Sequence, residues 1–351
     1  MKASLPLSVT VRDANLSGHI QGIALDEKNG FFYCSFTTRL IKTDLNGNTV
    51  GSVKGIVGHL GCIAFNPADG MVYGSLEYKN DVIGKGVARN VGYTGEIRDG
   101  FYIVRFDVSK IDRMDMDAEH DGIMEAVFLR EVTDDYTAEG HRYGCSGIDG
   151  ITFAPKIGED GTPDHLYAAY GIYGDTSRDD NDHQIILCYD VSKLDKYASP
   201  LNQSDMHRCG PEYPTAKYFV YTGNTTYGVQ NLEYDSQTRT MLAAVYCGKK
   251  AGFPNYPMFF IDCTKAPEAV TLKGVCHEGL KLSLTLPDCD TADEIPGSRF
   301  PLGSTGMISL GDGYYYFAKD FKDERGFGGT ITLHHLADSE PYFIQINETR
   351  E

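Results

Sequence analysis

Short segments in which apolar and polar residues alternate recur along the whole chain. Alternation with a period of two is typical of a β-strand with one buried face. A second strand follows each segment, in most cases after a short turn rich in Gly, Asp, Asn or Pro; these second strands read FFYCSF, MVYGSLEY, HLYAAYGIY, MLAAVYC and YYYFAK. The segments themselves align without gaps as HIQGIALD (19–26), HLGCIAFN (59–66), GIDGITFA (147–154), GVQNLEYD (228–235) and STGMISLG (304–311).

Two further strands complete each unit. The third strands are LIKTDL, FYIVRFDV, IILCYDV, MFFIDC and TITLHHL, and the fourth are TVGSV, EAVFLREV, KYFVYT, AVTLKG and YFIQI. Two third strands continue as FDVSKID and YDVSKLD, which indicates internal duplication. Four antiparallel strands repeated radially make the blades of a β-propeller, so the pattern predicts an all-β fold. Five blades are favoured, and a sixth in 268–300, around LKLSLTL, is the alternative.

The repeat predicts a single propeller domain over residues 1–351. The expected blades are 16–57, 58–133, 143–225, 226–275 and 301–348. An additional strand at 5–11 is expected to pair with the last blade and to help close the ring.

Charge and cysteine content narrow the partners and the compartment. The formal net charge is −17, which argues against a nucleic acid or an anionic membrane as partner. The nine cysteines show no CxxC spacing and mostly follow apolar strand residues, as expected of buried thiols. No signal peptide or transmembrane stretch is recognisable, so we expect a cytoplasmic protein.

One end of the predicted channel collects most of the long loops. Each inner strand begins, and each second strand ends, at the same mouth. Long loops on one face of a rigid scaffold usually carry function. We expect 79–100 to fold over this mouth as a lid, with Lys79, Lys85 and Arg89 facing an anionic group of a substrate. The segments expected there are 79–100, 133–145, 174–183, 248–257, 276–303 and 320–329.

The aligned strand ends nominate candidate side chains. We expect Glu77, Asp149 and His59 to be catalytic, because paired carboxylates can divide the roles of acid and base once burial separates their pKa values. Replacing either carboxylate by its amide is expected to preserve folding and to slow turnover. The substrate-binding candidates are His19, Gln21, Tyr78, Lys79, Gln230, Tyr246, Ser304, Lys319 and Asp320.

Two other interpretations of this polar ring remain open. His, carboxylate and amide groups together can bind Ca²⁺ or another divalent cation. Alternatively, each polar side chain satisfies the backbone near the channel axis or binds channel water.

The unit GIALDEKNGFFYCSF…IKTDLNGN resembles the repeats of NHL and SMP-30/gluconolactonase-type propellers. The resemblance covers the five pairs of first and second strands, and it implies the architecture more than the activity. It implies a divalent metal at the channel mouth, held by carboxylate and amide groups. The corresponding ligands here would be Asp149 and Asn231, with Glu77 beside them. Gln21-Gly22-Ile23 stands where that family has an acidic residue before Gly-Pro. Five-bladed glycosidases are similar more loosely, through carboxylates such as Glu77, Asp149 and Asp320 on separate blades.

Three classes of function follow from the sequence. The first is a hydrolase or lyase that acts on a small polar, sugar-derived molecule, with Tyr side chains as stacking surfaces. The second is a propeller that binds a ligand or a protein without catalysis. The third is a structural propeller whose channel holds only water. The fold alone does not choose among them.

Overall fold

Five separate β-sheets arranged as the blades of a propeller make up the protein. The computed structural model describes residues 5–13, 18–287 and 294–347. Each blade runs outward from an inner strand by antiparallel pairing, so the prediction of five blades is confirmed. The inner strands are Ile20–Asp26, His59–Asn66, Cys145–Ala154, Thr226–Asp235 and Met307–Gly311.

The second and third strands form a hairpin in every blade, joined in several blades by long connections. The second strands are Phe31–Phe36, Met71–Tyr78, His165–Ile172, Thr240–Tyr246 and Tyr314–Asp323. The third strands are Arg39–Asp44, Gly100–Phe106, His183–Asp190, Met258–Asp262 and Gly326–Leu336.

The fourth strands are Thr49–Lys54, Met124–Phe128, Ala216–Tyr221 and Leu284–Thr285, and Ser8–Asp13 takes this place in the last blade. The α-helices are Val82–Asn90, Arg130–Thr137 and Val191–Leu194, and the 3₁₀ turns are Val108–Lys110, Arg142–Gly144 and Asp195–Tyr197.

Chain from the following blade extends the outer edge of three blades. Met116–Asp117 pairs with the edge of blade 1, Ser199–Pro200 with that of blade 2, and Glu278–Lys281 with that of blade 3, where Glu268–Thr271 pairs with it in turn. In the last blade, the N-terminal strand and Phe343–Gln345 both pair with the third strand, Gly326–Leu336, at different positions along it. These additions cover strand edges that would otherwise expose unpaired backbone groups.

Several predicted elements differ from the structure. AVTLKG was expected as the fourth strand of blade 4, but Glu268–Thr271 belongs to the outer edge of blade 3. The LKLSLTL stretch forms no sixth blade; it is divided between the edge of blade 3 and the fourth strand of blade 4. The predicted loop 320–329 is instead a continuation of the hairpin, with paired residues up to Asp323 and Gly326.

Apolar side chains fill the interfaces between neighbouring blades and close the ring. Five clusters of buried residues are present, and each joins residues of two adjacent blades. The cluster that includes Val11, Ile23 and Ile331 joins the last blade to the first. Because each sheet has two apolar faces, this packing buries both of them, which a single blade could not do.

Cysteine pairing and helix length can be read directly from the structure. The eight cysteines within the described ranges are all free; five of them are buried, whereas Cys209, Cys247 and Cys276 are exposed. In the same ranges, no helix combines the length and the apolar character needed to cross a membrane.

Closure by the N-terminal strand leads to a stability prediction. Val11 is fully buried in the closing cluster, whereas Thr10 on the same strand faces solvent. Val11→Asp is expected to lower the free energy of unfolding by about 3–5 kcal/mol, because it buries an unpaired charge. Urea unfolding measures the effect, and Thr10→Asp is the matched control, expected within about 0.5 kcal/mol of wild type. Equal stability of the two variants would show that the strand does not close the ring.

Candidate functional site

The mouth of the channel is formed where inner strands begin and second strands end. His59, the first residue of its inner strand, is paired directly with Glu77, near the end of the second strand of that blade. Thr226 and Tyr246 are paired in the same way in blade 4. The antiparallel register therefore brings residues that are 18 or 20 positions apart in sequence to one end of the propeller.

Four ionisable side chains from blades 2 and 3 meet at this mouth. The His59 Nδ1 atom lies 3.6 Å from Glu77 Oε1 and 3.6 Å from Asp149 Oδ1. The Lys79 ammonium is 2.5 Å from Glu77 Oε1 and donates to the Ser146 carbonyl at 3.1 Å. The other Glu77 oxygen accepts a hydrogen bond from the Ile148 amide at 3.1 Å. The structure thus brings the three predicted catalytic residues together around a lysine.

Two atoms of this cluster have no hydrogen-bond partner although they are buried. These are His59 Nδ1 and Asp149 Oδ1, which face each other across the 3.6 Å gap. Buried polar groups are normally satisfied, because leaving one unpaired costs about 1–3 kcal/mol. The two side chains are 18% and 13% exposed, although these two atoms are themselves covered. A small movement of either side chain would therefore be needed before a ligand or a water molecule could bind to both atoms.

Two glycines make room for the carboxylates. A Cβ atom on Gly61 would lie 2.7 Å from Asp149 Oδ1 and 2.5 Å from Ser75 Oγ, and one on Gly147 would collide with Glu77 Oε2. Ser75 also donates to the Asp149 backbone carbonyl at 2.6 Å, which fixes blade 3 against blade 2. Sequence reasoning did not assign these roles. The repeat alignment could have indicated the role of Gly61, because Gly61 occupies in its repeat the position that Asp149 occupies in the next one.

Neutral polar groups continue the ring around the channel. Gln230 Nε2 donates to Asp149 Oδ2 at 3.2 Å and to the Tyr227 carbonyl at 2.9 Å. On blade 1, the Gln21 amide lies 3.2 Å from His19 Nε2 and 3.1 Å from Thr37 Oγ1. These groups can exchange hydrogen bonds with hydroxyls of a small molecule without adding net charge.

Asn231 links three blades and completes the ring. Its Nδ2 atom donates to the Gln21 carbonyl at 2.8 Å and to the Ser304 carbonyl at 3.0 Å. Tyr246 lies near Ser304, and burial together with the charges of Asp149 and Asp320 raises the pKa of its hydroxyl to about 12. Tyr246 is therefore a neutral donor at the mouth.

Some predicted residues lie apart from this cluster. Tyr78 points to the opposite face of its sheet, where its hydroxyl donates to Gln203 Oε1 at 2.8 Å within the core between blades 1 and 2. It does not line the mouth, because successive residues of a strand face opposite sides. Lys319 and Asp320 are exposed on the extended hairpin of the last blade. Asp320 nevertheless lies close enough to the mouth for its charge to oppose the lowering of the His19 pKa by burial and to add to the rise of the Tyr246 pKa.

The segment 79–100 contains a helix rather than a loop without regular structure. Val82–Asn90 is helical, and Asp81 caps it by accepting from the Gly84 amide at 2.7 Å. Ala88 packs in the core between blades 1 and 2, while Lys85 and Arg89 are exposed. Lys79 is the cation that this segment supplies to the site, and a covering role for the remainder stays a prediction.

Burial controls the protonation of the cluster. It raises the pKa of Asp149 well above the usual range, and the charge of Glu77 adds to the rise. Burial also raises the pKa of Glu77, but the adjacent Lys79 ammonium opposes that rise. Glu77 in turn keeps the pKa of Lys79 above its usual value despite burial. The arrangement separates a neutral Asp149 from an ion-paired Glu77.

No protein-family model and no curated protein matches the sequence. Among solved structures, one similar to this chain is a protein provisionally named a gluconolactonase; it is 15% identical, the alignment covers 90% of this chain and 75% of that one, and the TM-score is 0.37. A second is a protein of unknown function from Desulfotomaculum acetoxidans DSM 771, 9% identical over 93% and 69% of the two chains, with a TM-score of 0.38. The propeller architecture rests on the five sheets themselves.

The side chains at the mouth do not fit a divalent metal well. Within the described ranges, no three His, Cys, Asp or Glu side chains are arranged to hold one. The Lys79 ammonium already occupies the cation position beside Glu77, and a second cation there would be repelled. Asn231, the other expected ligand, uses its amide group to bind backbone carbonyls. The divalent ion stays a prediction, and no chemical step is assigned to it.

A cavity of about 990 Å³ opens at the opposite end of the channel. None of the ring residues described above lines it. The mouth is retained as the candidate catalytic site because its buried ionisable groups and unpaired atoms converge there, which volume alone does not provide.

The state of His59 can be measured directly. Burial, followed by the charges of Lys79 and His19, lowers its pKa to about 3. An unfolded imidazole takes up its proton below about pH 6.5. The contribution of this group to stability is therefore complete above that pH and is lost as the pH falls from about 6.5 toward 3. In ¹⁵N NMR spectra we expect the ring to remain neutral at pH 5.

His120 serves as the internal control for this measurement. It is exposed, and its hydrogen bond with Asp117 raises its pKa above 6.5. The two rings should therefore titrate in well-separated ranges of pH. Titration of His59 near the value of a free imidazole would contradict the desolvated site.

Proposed function

We propose that the protein is a hydrolase that acts on a small polar, sugar-derived molecule at the channel mouth, with Asp149 as its general acid and base. The observation that carries the proposal is the gap between His59 Nδ1 and Asp149 Oδ1, two buried atoms without partners beside the Glu77–Lys79 pair. Perturbed ionisable groups that converge in a cleft are typical of catalytic sites.

The division of labour follows from the surroundings of each group. Protonated Asp149 donates its proton to the leaving oxygen as the C–O bond of the substrate breaks. A water molecule then supplies hydroxide to the carbon and returns a proton to Asp149, so the protein ends in its starting state. His59, held neutral, accepts a hydrogen bond from this water or from a substrate hydroxyl at Nδ1.

Lys79 supplies positive charge to the same point. Glu77 and the Ser146 carbonyl hold its ammonium in place, and it stays protonated. A fixed cation in a site of low dielectric stabilises negative charge that develops on a substrate oxygen. The proposal therefore needs no metal for charge stabilisation.

The neutral part of the ring favours a substrate rich in hydroxyls. Gln21, Gln230 and Tyr246 offer amide and phenol groups around the channel, and none of them carries a charge at neutral pH. Sugar lactones and glycosides present hydroxyls on several sides and a hydrolysable C–O bond. Phosphate esters test instead whether Lys79 selects an anion.

A substrate screen tests the proposal. Purified protein is incubated with panels of sugar lactones, glycosides and phosphate esters, with and without EDTA, and product formation is followed. Turnover of a lactone or glycoside that persists in EDTA supports the proposal. Saturable binding without turnover would support a non-catalytic binding propeller instead. Turnover that is lost in EDTA and restored by Ca²⁺ would overturn the role given to Lys79.

A further inference from the structure

The cavity at the end opposite the candidate catalytic site is lined by all five blades. Its walls combine apolar side chains such as Ile63, Phe153 and Ile308 with charged ones, which are Asp26, Glu27, Lys28, Asp160, Glu233 and Arg239. Its volume of about 990 Å³ is at the upper end of the range usual for small-molecule sites, about 300–1,000 Å³. The apolar part of the walls offers a contact surface for a compact apolar group.

One position of the repeat forms a ring inside this cavity. The sixth residues of the aligned inner strands all line it, and they are Ala24, Ala64, Thr152, Glu233 and Ser309. Four of the five are small, which leaves the space open, and Glu233 is the ionisable member. Glu233 is half-buried, so its carboxyl group borders the cavity.

Glu233 is held by neutral groups. The Ser309 amide donates to its Oε1 atom at 2.7 Å, and the Thr152 hydroxyl lies close enough to influence it. Among the residues that the structure describes, no lysine or arginine forms a salt bridge with Glu233; Arg239, which also lines the cavity, is paired with Asp160 at 2.7 Å. The carboxyl group therefore faces the cavity without a counter-ion.

We propose that this cavity is a second binding site, for a small organic cation with a primary ammonium group on an apolar body, and that Glu233 is its counter-ion. The apolar walls would cover the body of the ligand, and the ammonium would replace the counter-ion that the protein lacks. The net charge of −17 favours the approach of a cation. This inference is independent of the hydrolase proposal, because the two sites share no residue.

The site has a characteristic dependence on pH. Burial, with a further contribution from the charge of Asp235, raises the pKa of Glu233 to about 8, although the hydrogen bonds from the Ser309 amide and the Thr152 hydroxyl oppose the rise. At neutral pH the empty site is therefore mostly protonated, and a bound ammonium would shift the carboxyl to its ionised form. Binding must release a proton, and affinity must increase as the pH rises from about 6 toward 8.

Calorimetric titration with 2-phenylethylamine tests the proposal, and 2-phenylethanol is the neutral probe of nearly the same shape. We expect saturable binding of the amine at pH 8 and at least tenfold weaker binding of the alcohol. Glu233→Gln should weaken amine binding at least tenfold. Glu324→Gln, at the exposed tip of the last hairpin, is the matched control and should bind as wild type does.

Proton release gives a second readout that needs no variant. Titrations in two buffers with different ionisation enthalpies should show that the amine, and not the alcohol, releases a proton at pH 7. This result would stand even if Glu233→Gln failed to fold. Equal binding of amine and alcohol, unchanged binding by Glu233→Gln, or no binding of the amine at millimolar concentration would each overturn the proposal.

Discussion

Replacing Asp149 by asparagine is expected to lower the turnover rate by on the order of a hundredfold or more, with little change in stability. The side chain is mainly protonated in the folded protein because burial raises its pKa, so the amide resembles the resident form in size and charge. Its oxygen can still accept from Gln230, and its NH₂ group can point toward His59 Nδ1. The substitution removes the transferable proton and leaves the shape.

Two measurements separate the chemical effect from a structural one. The Tm of Asp149→Asn should match that of wild type, and KM for the substrate found in the screen should change less than kcat. Glu125→Gln, on the surface of blade 2 and away from the mouth, is the control and should keep wild-type activity. Wild-type kcat in Asp149→Asn would place the chemistry elsewhere.

Glu77→Gln is expected to destabilise the protein by about 3–5 kcal/mol, because it leaves the Lys79 ammonium buried without its partner. This differs from the expectation based on sequence, in which either amide would preserve folding. The structure shows that Glu77 is 4% exposed and Lys79 is 11% exposed, so water cannot replace the lost charge. Urea unfolding gives the measurement.

A second substitution distinguishes the lost pair from a change of shape. In Glu77→Gln/Lys79→Met no charge remains at this point, so the double variant should regain part of the stability lost by Glu77→Gln alone. Glu125→Gln is the matched surface control: its partner Arg105 lies at 2.8 Å, but Glu125 is 37% exposed, and such pairs contribute about 0–1 kcal/mol. A double variant less stable than Glu77→Gln would refute the assignment of the loss to unpaired Lys79.

Together, the two variants would show whether Asp149 and Glu77 have different roles in the cluster. Asp149 is the neutral member and should affect the rate, whereas Glu77 is the charged member and should affect stability first. The NMR measurement on His59 tests the third residue of the cluster, because an imidazole that stays neutral is expected where the ring is removed from solvent.

The repeat by itself determined the propeller, the five blades and the end at which the polar residues meet. Alternation along HLGCIAFN and its four counterparts reports which face of each strand is buried, and that property is local. Antiparallel pairing then brings the end of the strand that carries Glu77 to the start of the strand that carries His59, whereas a register shift between Leu60 and Ile63, visible only in the structure, pairs the two residues directly. The pairing of the N-terminal strand with the last blade was also predicted, but as an addition to YFIQI; in the structure the N-terminal strand itself takes the fourth place, and Phe343–Gln345 pairs with another part of the same neighbouring strand.

Only the tertiary structure decided which groups touch and which edge each outer strand joins. Glu268–Thr271 lies on blade 3 rather than blade 4 because unpaired edges compete for nearby chain, and that competition depends on distances in space. Lys79 is two positions from Glu77, as alternation requires for a shared face, but it lies just beyond the strand end, and only the structure shows that its ammonium is held between Glu77 and the Ser146 carbonyl of the next blade. The cavity around Glu233 arises because Ala24 and Ala64, far apart in sequence, leave space at the same level of the channel. Such spaces are set by the closure of the ring, which no single repeat contains.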